Sequence, residues 1–166
     1  SMKYKLNKKL GQHFLFAEDI LSRISDAVEV SPKQKIIEVG PGAGSLTRFL
    51  LQKKVPVISV EIDDRWAAEV MDKYKANKNL TVLNQDALEF AWSEFGKADE
   101  LVAVGNIPYQ ITSPLHFNII ENREIIDGCV FLMQKEVAER IDADHGSKKY
   151  GILSIAIQYF FETEIL

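Results

Sequence analysis

Three glycines within five residues form the most informative pattern in this sequence. The segment Glu38–Gly44 reads E-V-G-P-G-A-G and lies between an apolar run and a run of helical period. Glycine at a strand-to-helix turn allows positive φ and lets backbone N–H groups approach a ligand without a Cβ in the way. The spacing is not the G-x-G-x-x-G of dinucleotide-binding loops, and the P-loop lysine is missing. The loop therefore predicts a ligand without a phosphate chain, with a ligand-free tight turn as the alternative.

Two acidic residues follow the next two apolar runs. Glu61 ends the second run, where a carboxylate is placed to accept both hydroxyl protons of a ribose. Asp86 ends the third run, where it is placed to accept a hydrogen bond from an exocyclic adenine amine. Either acid alone is also explained as a helix cap. Together with the glycine loop they predict a pocket for an adenosine without a phosphate chain, and S-adenosylmethionine is a ligand of that kind.

The tetrapeptide Asn106-Ile107-Pro108-Tyr109 follows the fourth apolar run. An exocyclic adenine amine is a poor nucleophile because its lone pair is delocalised into the ring. If the Asn106 side-chain oxygen and the Pro108 carbonyl accept its two protons, the lone pair is directed at a methyl donor. Tyr109 offers a ring on which the base can stack, a contact worth roughly 1 to 3 kcal/mol. The tetrapeptide predicts methyl transfer to an adenine amine, with a turn that has no chemistry as the alternative.

Short apolar runs alternate with segments of helical period, which predicts βαβ units and a mostly parallel sheet. The predicted strands are Lys35–Gly40, Val55–Val60, Leu80–Leu83, Leu101–Val104 and Cys129–Met133. The predicted crossover helices are Leu46–Lys53, Asp64–Ala76 and Pro114–Glu121. A further run, Ser154–Phe161, is ambiguous between helix and strand. Because the sequence stops soon after this run, we expect that the last edge strands are left out.

Composition bounds the function further. The 166 residues predict one domain, and 20 basic against 24 acidic side chains give a net charge of −4, which excludes a broadly basic polyanion-binding surface. Residues 1–33 carry the mild basic bias.

The single cysteine, Cys129, is expected to be a buried thiol. No apolar segment reaches the roughly 18 to 20 residues of a membrane span, and the histidines show no metal-ligand spacing. We therefore expect a cytoplasmic protein without a bound metal.

On these motifs the sequence resembles the rRNA adenine N6-dimethyltransferases, a family that includes the KsgA-type enzymes and the Erm resistance methyltransferases. Leu10–Leu15 looks like the N-terminal signature, Glu38–Thr47 like the cofactor loop, and Asn106–Tyr109 like the target-base motif. Phe131–Ala138 and Gly146–Gly151 are more similar to the KsgA branch than to Erm. The resemblance implies a Rossmann-like α/β sheet of the class I methyltransferases over residues 1–166, with residues 1–33 contacting cofactor and RNA. It also implies that a C-terminal helical domain is absent here.

The resemblance assigns residues to the cofactor and to the target base. It implies contacts to S-adenosylmethionine from seven residues, with Ile62 and Ala87 nearby: His13, Leu15, Gly40, Gly42, Glu61, Asp86 and Asn106. His13 stands where many members carry Asn, so a backbone contact is expected there rather than acid–base work. Asn106, Pro108, Tyr109 and Phe131 are the expected catalytic set, in which Tyr109 and Phe131 sandwich a flipped adenine. Core packing is the alternative for Phe131.

The resemblance also implies a substrate. Members of the KsgA branch add two methyl groups to each of two adjacent adenines of small-subunit rRNA. The expected partner is therefore the immature small subunit, and the expected oligomeric state of this protein is a monomer. Two alternatives stay open. One is an Erm-like enzyme of large-subunit rRNA, and the other is a non-catalytic RNA-binding assembly factor on the same fold.

Overall fold

A five-stranded, wholly parallel sheet forms the centre of the molecule. The computed structural model describes residues 18–19, 21–107 and 111–132. Within them the strands are β1 (Lys35–Val39), β2 (Val57–Val60), β3 (Leu80–Leu83), β4 (Leu101–Asn106) and β5 (Ile126–Leu132). Their spatial order is β3-β2-β1-β4-β5, and every neighbouring pair runs parallel.

One helix precedes β1, and the others lie between the strands. The helices are α1 (21–27), α2 (Ser45–Leu51), α3 (Asp64–Lys73) and α4 (Thr112–Glu121), and two short 3₁₀ turns, Ala87–Glu89 and Trp92–Glu94, follow β3. The helix α3 begins at a defined point because Asp63 caps it. The Asp63 Oδ1 accepts hydrogen bonds from the Arg65 and Trp66 amides at 2.9 and 3.1 Å.

The sheet has buried residues on both faces, as a parallel sheet requires. On one face Ile36, Val57 and Val104 pack with Leu46 and Leu50 of α2. Ile24 of α1 and Val28, just after it, belong to the same cluster. On the other face Ile37, Val39 and Val60 pack with Leu115 and Ile119 of α4. The ends of the strands are consequently held rigidly from both sides.

The strand order brings two loops to a topological switch point. The chain leaves β1 towards β2 on one side and later returns to place β4 on the other side of β1. In such a sheet the connections after these two strands diverge, and a crevice opens beyond their carboxyl ends. The glycine loop follows β1, and Asn106 is the last residue of β4. The fold therefore places the two strongest sequence motifs at the edge where α/β proteins bind ligands.

The predicted elements are confirmed in type and order, with ends that differ by a few residues. The strand β5 starts at Ile126, earlier than predicted, and β4 continues to Asn106. Helix α1 was not predicted, although Leu21, Ile24 and Val28 have helical spacing. The ambiguous run Ser154–Phe161 and the N-terminal signature Leu10–Leu15 lie outside the described residues.

Candidate functional site

The glycine loop leaves its backbone open at the middle position. Gly40, Gly42 and Gly44 all have positive φ, at 69°, 53° and 85°. A Cβ built on Gly42 would meet no atom within 4 Å among the described residues, whereas one on Gly44 would lie 3.0 Å from the Tyr74 ring. Positive φ explains why L side chains are disfavoured here. The open space beside Gly42 is the room that a bound ligand would occupy.

Glu61 fastens this loop to the end of β2. Its Oε1 accepts a hydrogen bond from the Gly42 amide at 3.0 Å, and its Oε2 accepts one from the Asp63 amide at 3.0 Å. The side chain is 7% exposed. Each carboxylate oxygen has about two acceptor sites, so each retains one for a ligand hydroxyl. Because Asp63 caps α3, Glu61 does not have the capping role that the sequence left open for it.

Asp86 has a capping role in this structure. Its Oδ1 accepts a hydrogen bond from the Leu88 amide at 2.9 Å and caps the 3₁₀ turn at Ala87–Glu89. Nearby, the Asn84 side-chain amide donates to the Glu61 carbonyl at 2.9 Å and thereby joins the end of β3 to the end of β2. Cap formation thus fixes the Asp86 carboxylate at the strand edge. Its predicted contact with an adenine amine stays a prediction.

Asn106 ends β4 with an exposed side chain beside the glycine loop. A Cβ on Gly40 would lie 3.5 Å from the Asn106 carbonyl oxygen, so the backbones of the two motifs are in contact distance. The preceding residue, Gly105, is paired with Val39 of β1, and a Cβ there would clash with the Val39 carbonyl oxygen. Glycine at 105 is therefore what allows β4 to deliver Asn106 so close to the cofactor loop.

Several predicted site residues lie outside the described residues. They are His13 and Leu15 of the N-terminal signature and Pro108 and Tyr109 of the target-base motif. The structure places the other five cofactor residues at the same edge of the sheet: Gly40, Gly42, Glu61, Asp86 and Asn106. Ile62, 65% exposed and directly after Glu61, adds an apolar surface there.

Phe131 lies in the hydrophobic core. It is 1% exposed and belongs to the cluster on the α4 face of the sheet. Its strand partner is Gly105, the residue before Asn106. The burial of this ring matches the core-packing role that the sequence left open. Its predicted contact with a flipped adenine stays a prediction. Cys129 is likewise buried, as predicted.

Sequence reasoning missed the role of Glu38 below the glycine loop. This side chain of β1 is 1% exposed, and its Oε1 accepts hydrogen bonds from the hydroxyls of Thr47 and Ser59, both at 2.6 Å. Its Oε2 has no partner among the described residues. Burial, with a smaller contribution from the nearby Glu61 carboxylate, raises the pKa of Glu38 to about 7, against the lowering effect of the two hydroxyls. The group links β1, α2 and β2 beneath the loop.

Tyr74 was also missed. It follows α3, and its hydroxyl donates to the Gly44 carbonyl at 2.7 Å. A contact between residues 30 positions apart leaves no local pattern in the sequence.

Within the described ranges no helix is long and apolar enough to cross a membrane, and no cluster of side chains suited to a metal ion occurs there either.

The residues present fit the adenosine part of S-adenosylmethionine. Open space lies beside Gly42, Glu61 keeps acceptor sites for ribose hydroxyls, and Ile62 offers an apolar surface. The strand order, the glycine loop after β1 and the acid after β2 together define a class I S-adenosylmethionine-dependent methyltransferase fold.

Comparison with known proteins narrows the class to a family. The family model described as ribosomal RNA adenine dimethylase matches residues 3–166. The ribosomal RNA small subunit methyltransferase A of Latilactobacillus sakei is 44% identical over 98% of this chain and 56% of its own length. That of Staphylococcus haemolyticus is 41% identical over 96% of the chain and 56% of its length. The chain belongs to the ribosomal RNA adenine dimethylase family.

Solved structures agree with that assignment. A dimethyladenosine transferase from Plasmodium falciparum superimposes with a TM-score of 0.64 at 37% identity, covering 84% of this chain and 50% of that one. The 23S rRNA methyltransferase ErmE gives a TM-score of 0.64 at 31% identity, covering 77% of this chain and 50% of its own. This chain therefore spans about half the length of the relatives it matches.

Proposed function

We propose that residues 1–166 form the catalytic domain of an rRNA adenine N6,N6-dimethyltransferase that uses S-adenosylmethionine. The proposed substrate is a pair of adjacent loop adenines of small-subunit rRNA in the immature subunit, methylated in the cytoplasm by a monomer. One observation carries the proposal: the Glu61 carboxylate is bonded to the glycine loop, whose Gly40 lies beside the Asn106 backbone. The names of the relatives at 44% and 41% identity support the choice of the small subunit.

The cofactor residues are assigned by their chemistry. Glu61 would bind the ribose hydroxyls, since each of its oxygens accepts one backbone amide and keeps an acceptor site. Asp86 would accept from the adenine amine, and the backbone at Gly40 and Gly42 would face the methionine portion. His13 and Leu15 would complete the site from the N-terminal segment. S-adenosylmethionine, when bound, supplies an electrophilic methyl group.

The target residues prepare the nucleophile. The Asn106 side-chain oxygen and the Pro108 carbonyl would accept the two protons of the adenine N6 amine, which directs the nitrogen lone pair away from both acceptors. The adenine nitrogen would take the methyl group from the sulfonium sulfur, which would leave as a neutral thioether, and the alkylated nitrogen would then be acidic enough to lose one proton to solvent. No general base is needed to begin the reaction. Tyr109 would stack on the flipped base, whose extrusion is less costly from a loop than from a duplex.

Dimethylation constrains how the base is held. The second transfer starts from an amine with a single proton, so one of the two acceptors at Asn106 and Pro108 must release its hydrogen bond. The base must nevertheless stay in place, or rebind in the same pose. Stacking by Tyr109 is insensitive to the number of amine protons and would provide that hold.

Calorimetric titration is the first test. The 166-residue chain is titrated with S-adenosylmethionine, with NAD and ATP as controls, while a circular-dichroism melt verifies that the protein is folded. Selective binding of S-adenosylmethionine is expected, because Glu61 suits a ribose and the loop lacks phosphate-binding groups. A folded chain that binds none of the three ligands would contradict the cofactor assignment.

Methyl transfer is the second test. The protein is incubated with labelled cofactor and with immature small or large ribosomal subunits, and rRNA nucleosides are identified by mass spectrometry. Dimethyladenosine in small-subunit rRNA is expected. Transfer to large subunits instead would favour the Erm-like alternative. The similarity to ErmE supports that alternative. Binding of RNA by a cofactor-competent protein without any transfer would indicate the assembly-factor alternative.

A further inference from the structure

Tyr74 contacts the glycine loop at Gly44. Its hydroxyl donates to the Gly44 carbonyl at 2.7 Å, and its ring lies so close to Gly44 that an added Cβ would be 3.0 Å from Cε2. The Lys73 ammonium lies 5.5 Å from the centre of the same ring and 3.5 Å from the Ala43 carbonyl oxygen. The end of α3 is therefore packed against two consecutive peptide units of the loop.

Gly44 is the residue through which this contact acts. It is the first residue before α2, has a φ of 85° and receives no side-chain cap. Its amide donates to the Pro41 carbonyl at 2.8 Å, and its carbonyl also accepts a hydrogen bond from the Arg48 amide at 3.3 Å. The bond from Tyr74 is the shortest of these contacts. Since glycine has wide conformational freedom, an outside bond is an effective way to hold this peptide in one orientation.

The hydroxyl is available as a donor over the neutral range. Burial raises the pKa of Tyr74 above its usual value, and the nearby Glu38 carboxyl raises it further, against the opposing effect of Arg48. The phenol consequently stays protonated where the enzyme would work.

Helix α3 holds the loop at two points. The residue Glu61, just before this helix, bonds the Gly42 amide, and Tyr74, just after it, bonds the Gly44 carbonyl. A helix of this length is a stiff spacer of about 15 Å. Its two ends therefore define the path of the backbone from Gly42 to Gly44, which is the part of the loop beside the open space.

We propose that Tyr74 is a positioning residue that holds the Gly42–Gly44 backbone in the cofactor-binding conformation through its hydrogen bond to the Gly44 carbonyl. This inference rests on the proposed function. Without the hydroxyl, the loop would sample more conformations when the cofactor is absent, and binding would have to order it again. Affinity falls when a site loses such preorganisation, even though no contact to the ligand itself is removed.

The test uses Tyr74→Phe, which keeps the ring against Gly44 and removes only the donor. We expect its Kd for S-adenosylmethionine and for S-adenosylhomocysteine to rise about 3- to 10-fold, the range that one hydrogen bond supplies. Amide hydrogen exchange in the cofactor-free protein is expected to become faster at Gly42, Ala43 and Gly44. Exchange in the strands β1 and β4 is expected to stay as in the wild type.

Gln34→Leu is the matched control. Its side-chain amide donates to the Asp99 carbonyl at 2.8 Å and to Asp127 at 2.9 Å, at the opposite edge of the sheet. This variant is expected to lower the melting temperature without changing the cofactor Kd. If both variants weaken binding equally, Kd follows global stability and the positioning role is wrong.

Two further results separate the proposals. If the wild type binds cofactor and Tyr74→Phe binds it equally tightly, the positioning role is overturned while the proposed function stands. If the folded wild type binds no cofactor, the proposed function is overturned and the positioning role with it. Weaker binding with unchanged exchange at Gly42–Gly44 would also contradict the inference, because the effect would not arise from the loop.

Discussion

The Glu61 carboxylate accepts a hydrogen bond from the Gly42 amide at 3.0 Å, so this bond joins the end of β2 to the loop after β1. The same carboxylate accepts the Asp63 amide with its other oxygen. Its position is thus fixed by backbone groups on two sides. A carboxylate held in this way needs little rearrangement to receive a ligand's hydroxyl groups.

Glu61→Ala should weaken cofactor binding strongly. It removes a charged acceptor for the ribose and also the bond that holds Gly42, and loss of such a partner costs about 1.5 to 3 kcal/mol. The Kd for S-adenosylmethionine should rise about 10- to 150-fold in calorimetric titration. Asp63→Ala is the control: it removes the cap of α3 and should cost about 1 kcal/mol of stability with little change in Kd. An unchanged affinity in Glu61→Ala would contradict the ribose-binding role of this acid.

Asn106→Ala should abolish transfer and largely spare cofactor binding. The side chain is exposed at the end of β4, and its proposed task lies at the target amine. A loss of about 100-fold or more in methyl transfer is expected, the size seen when one preorganised hydrogen bond at a reacting centre is removed. Transfer is measured as labelled methyl incorporated into small subunits, and Kd is measured in parallel.

Asn122→Ala provides the comparison for this variant. The Asn122 amide donates to the Asn118 carbonyl at 2.7 Å, at the end of α4 away from the glycine loop. Transfer by Asn122→Ala should match the wild type. If cofactor binding collapses together with transfer in Asn106→Ala, the target-amine role of Asn106 is wrong.

Phe131→Leu should lower the stability of the protein without changing methyl transfer. Because the ring is 1% exposed in the core, this swap should lower the free energy of unfolding by about 1 kcal/mol. Transfer per folded molecule should stay within about twofold of the wild type. Tyr109→Leu, by contrast, should lose a stacking contact worth about 1 to 3 kcal/mol in transition-state binding. Equal losses of transfer in the two variants would restore Phe131 to the base-binding set.

The sequence predicts the part of this site that follows strand ends. Five apolar runs with breakers between them suffice for a parallel sheet, and parallel strands deliver their following loops to one edge. The glycine loop, Glu61 and Asn106 were found together for that reason. Phe131 shows where this reasoning stops. Both faces of a parallel strand are buried, so no polar alternation tells whether a ring in β5 faces the core or a pocket.

The residues of the site that the sequence did not predict depend on long-range contacts. Tyr74 reaches Gly44 from the far end of a helix, and its neighbours in sequence give no sign of a partner in the loop. Glu38 was visible as part of the loop motif, but its burial depends on hydroxyls from Thr47 in α2 and Ser59 in β2. Such contacts depend on the register of β1 with β2 and on the position of α2, which only the folded structure specifies.

Glu38 should make the protein less stable as the pH rises. Its pKa is about 7 in the folded protein and 4.5 as the reference value, so between these pH values the folded state binds more protons than the unfolded state. The free energy of unfolding then decreases with increasing pH. At about 1.4 kcal/mol per pKa unit, this group alone accounts for at most about 3 kcal/mol between pH 4.5 and pH 7.

Glu38→Gln should remove that dependence. The amide keeps an oxygen for the Thr47 and Ser59 hydroxyls and carries no charge to desolvate. Urea titrations at pH 5 and pH 8 should therefore show the variant gaining stability relative to the wild type at the higher pH. Glu94→Gln, at an exposed position in a 3₁₀ turn, should leave the difference between the two pH values as in the wild type. If the free energy of unfolding of Glu38→Gln changed with pH in parallel with that of the wild type, Glu38 would have the same pKa in the folded and unfolded states. That result would contradict a pKa raised by burial.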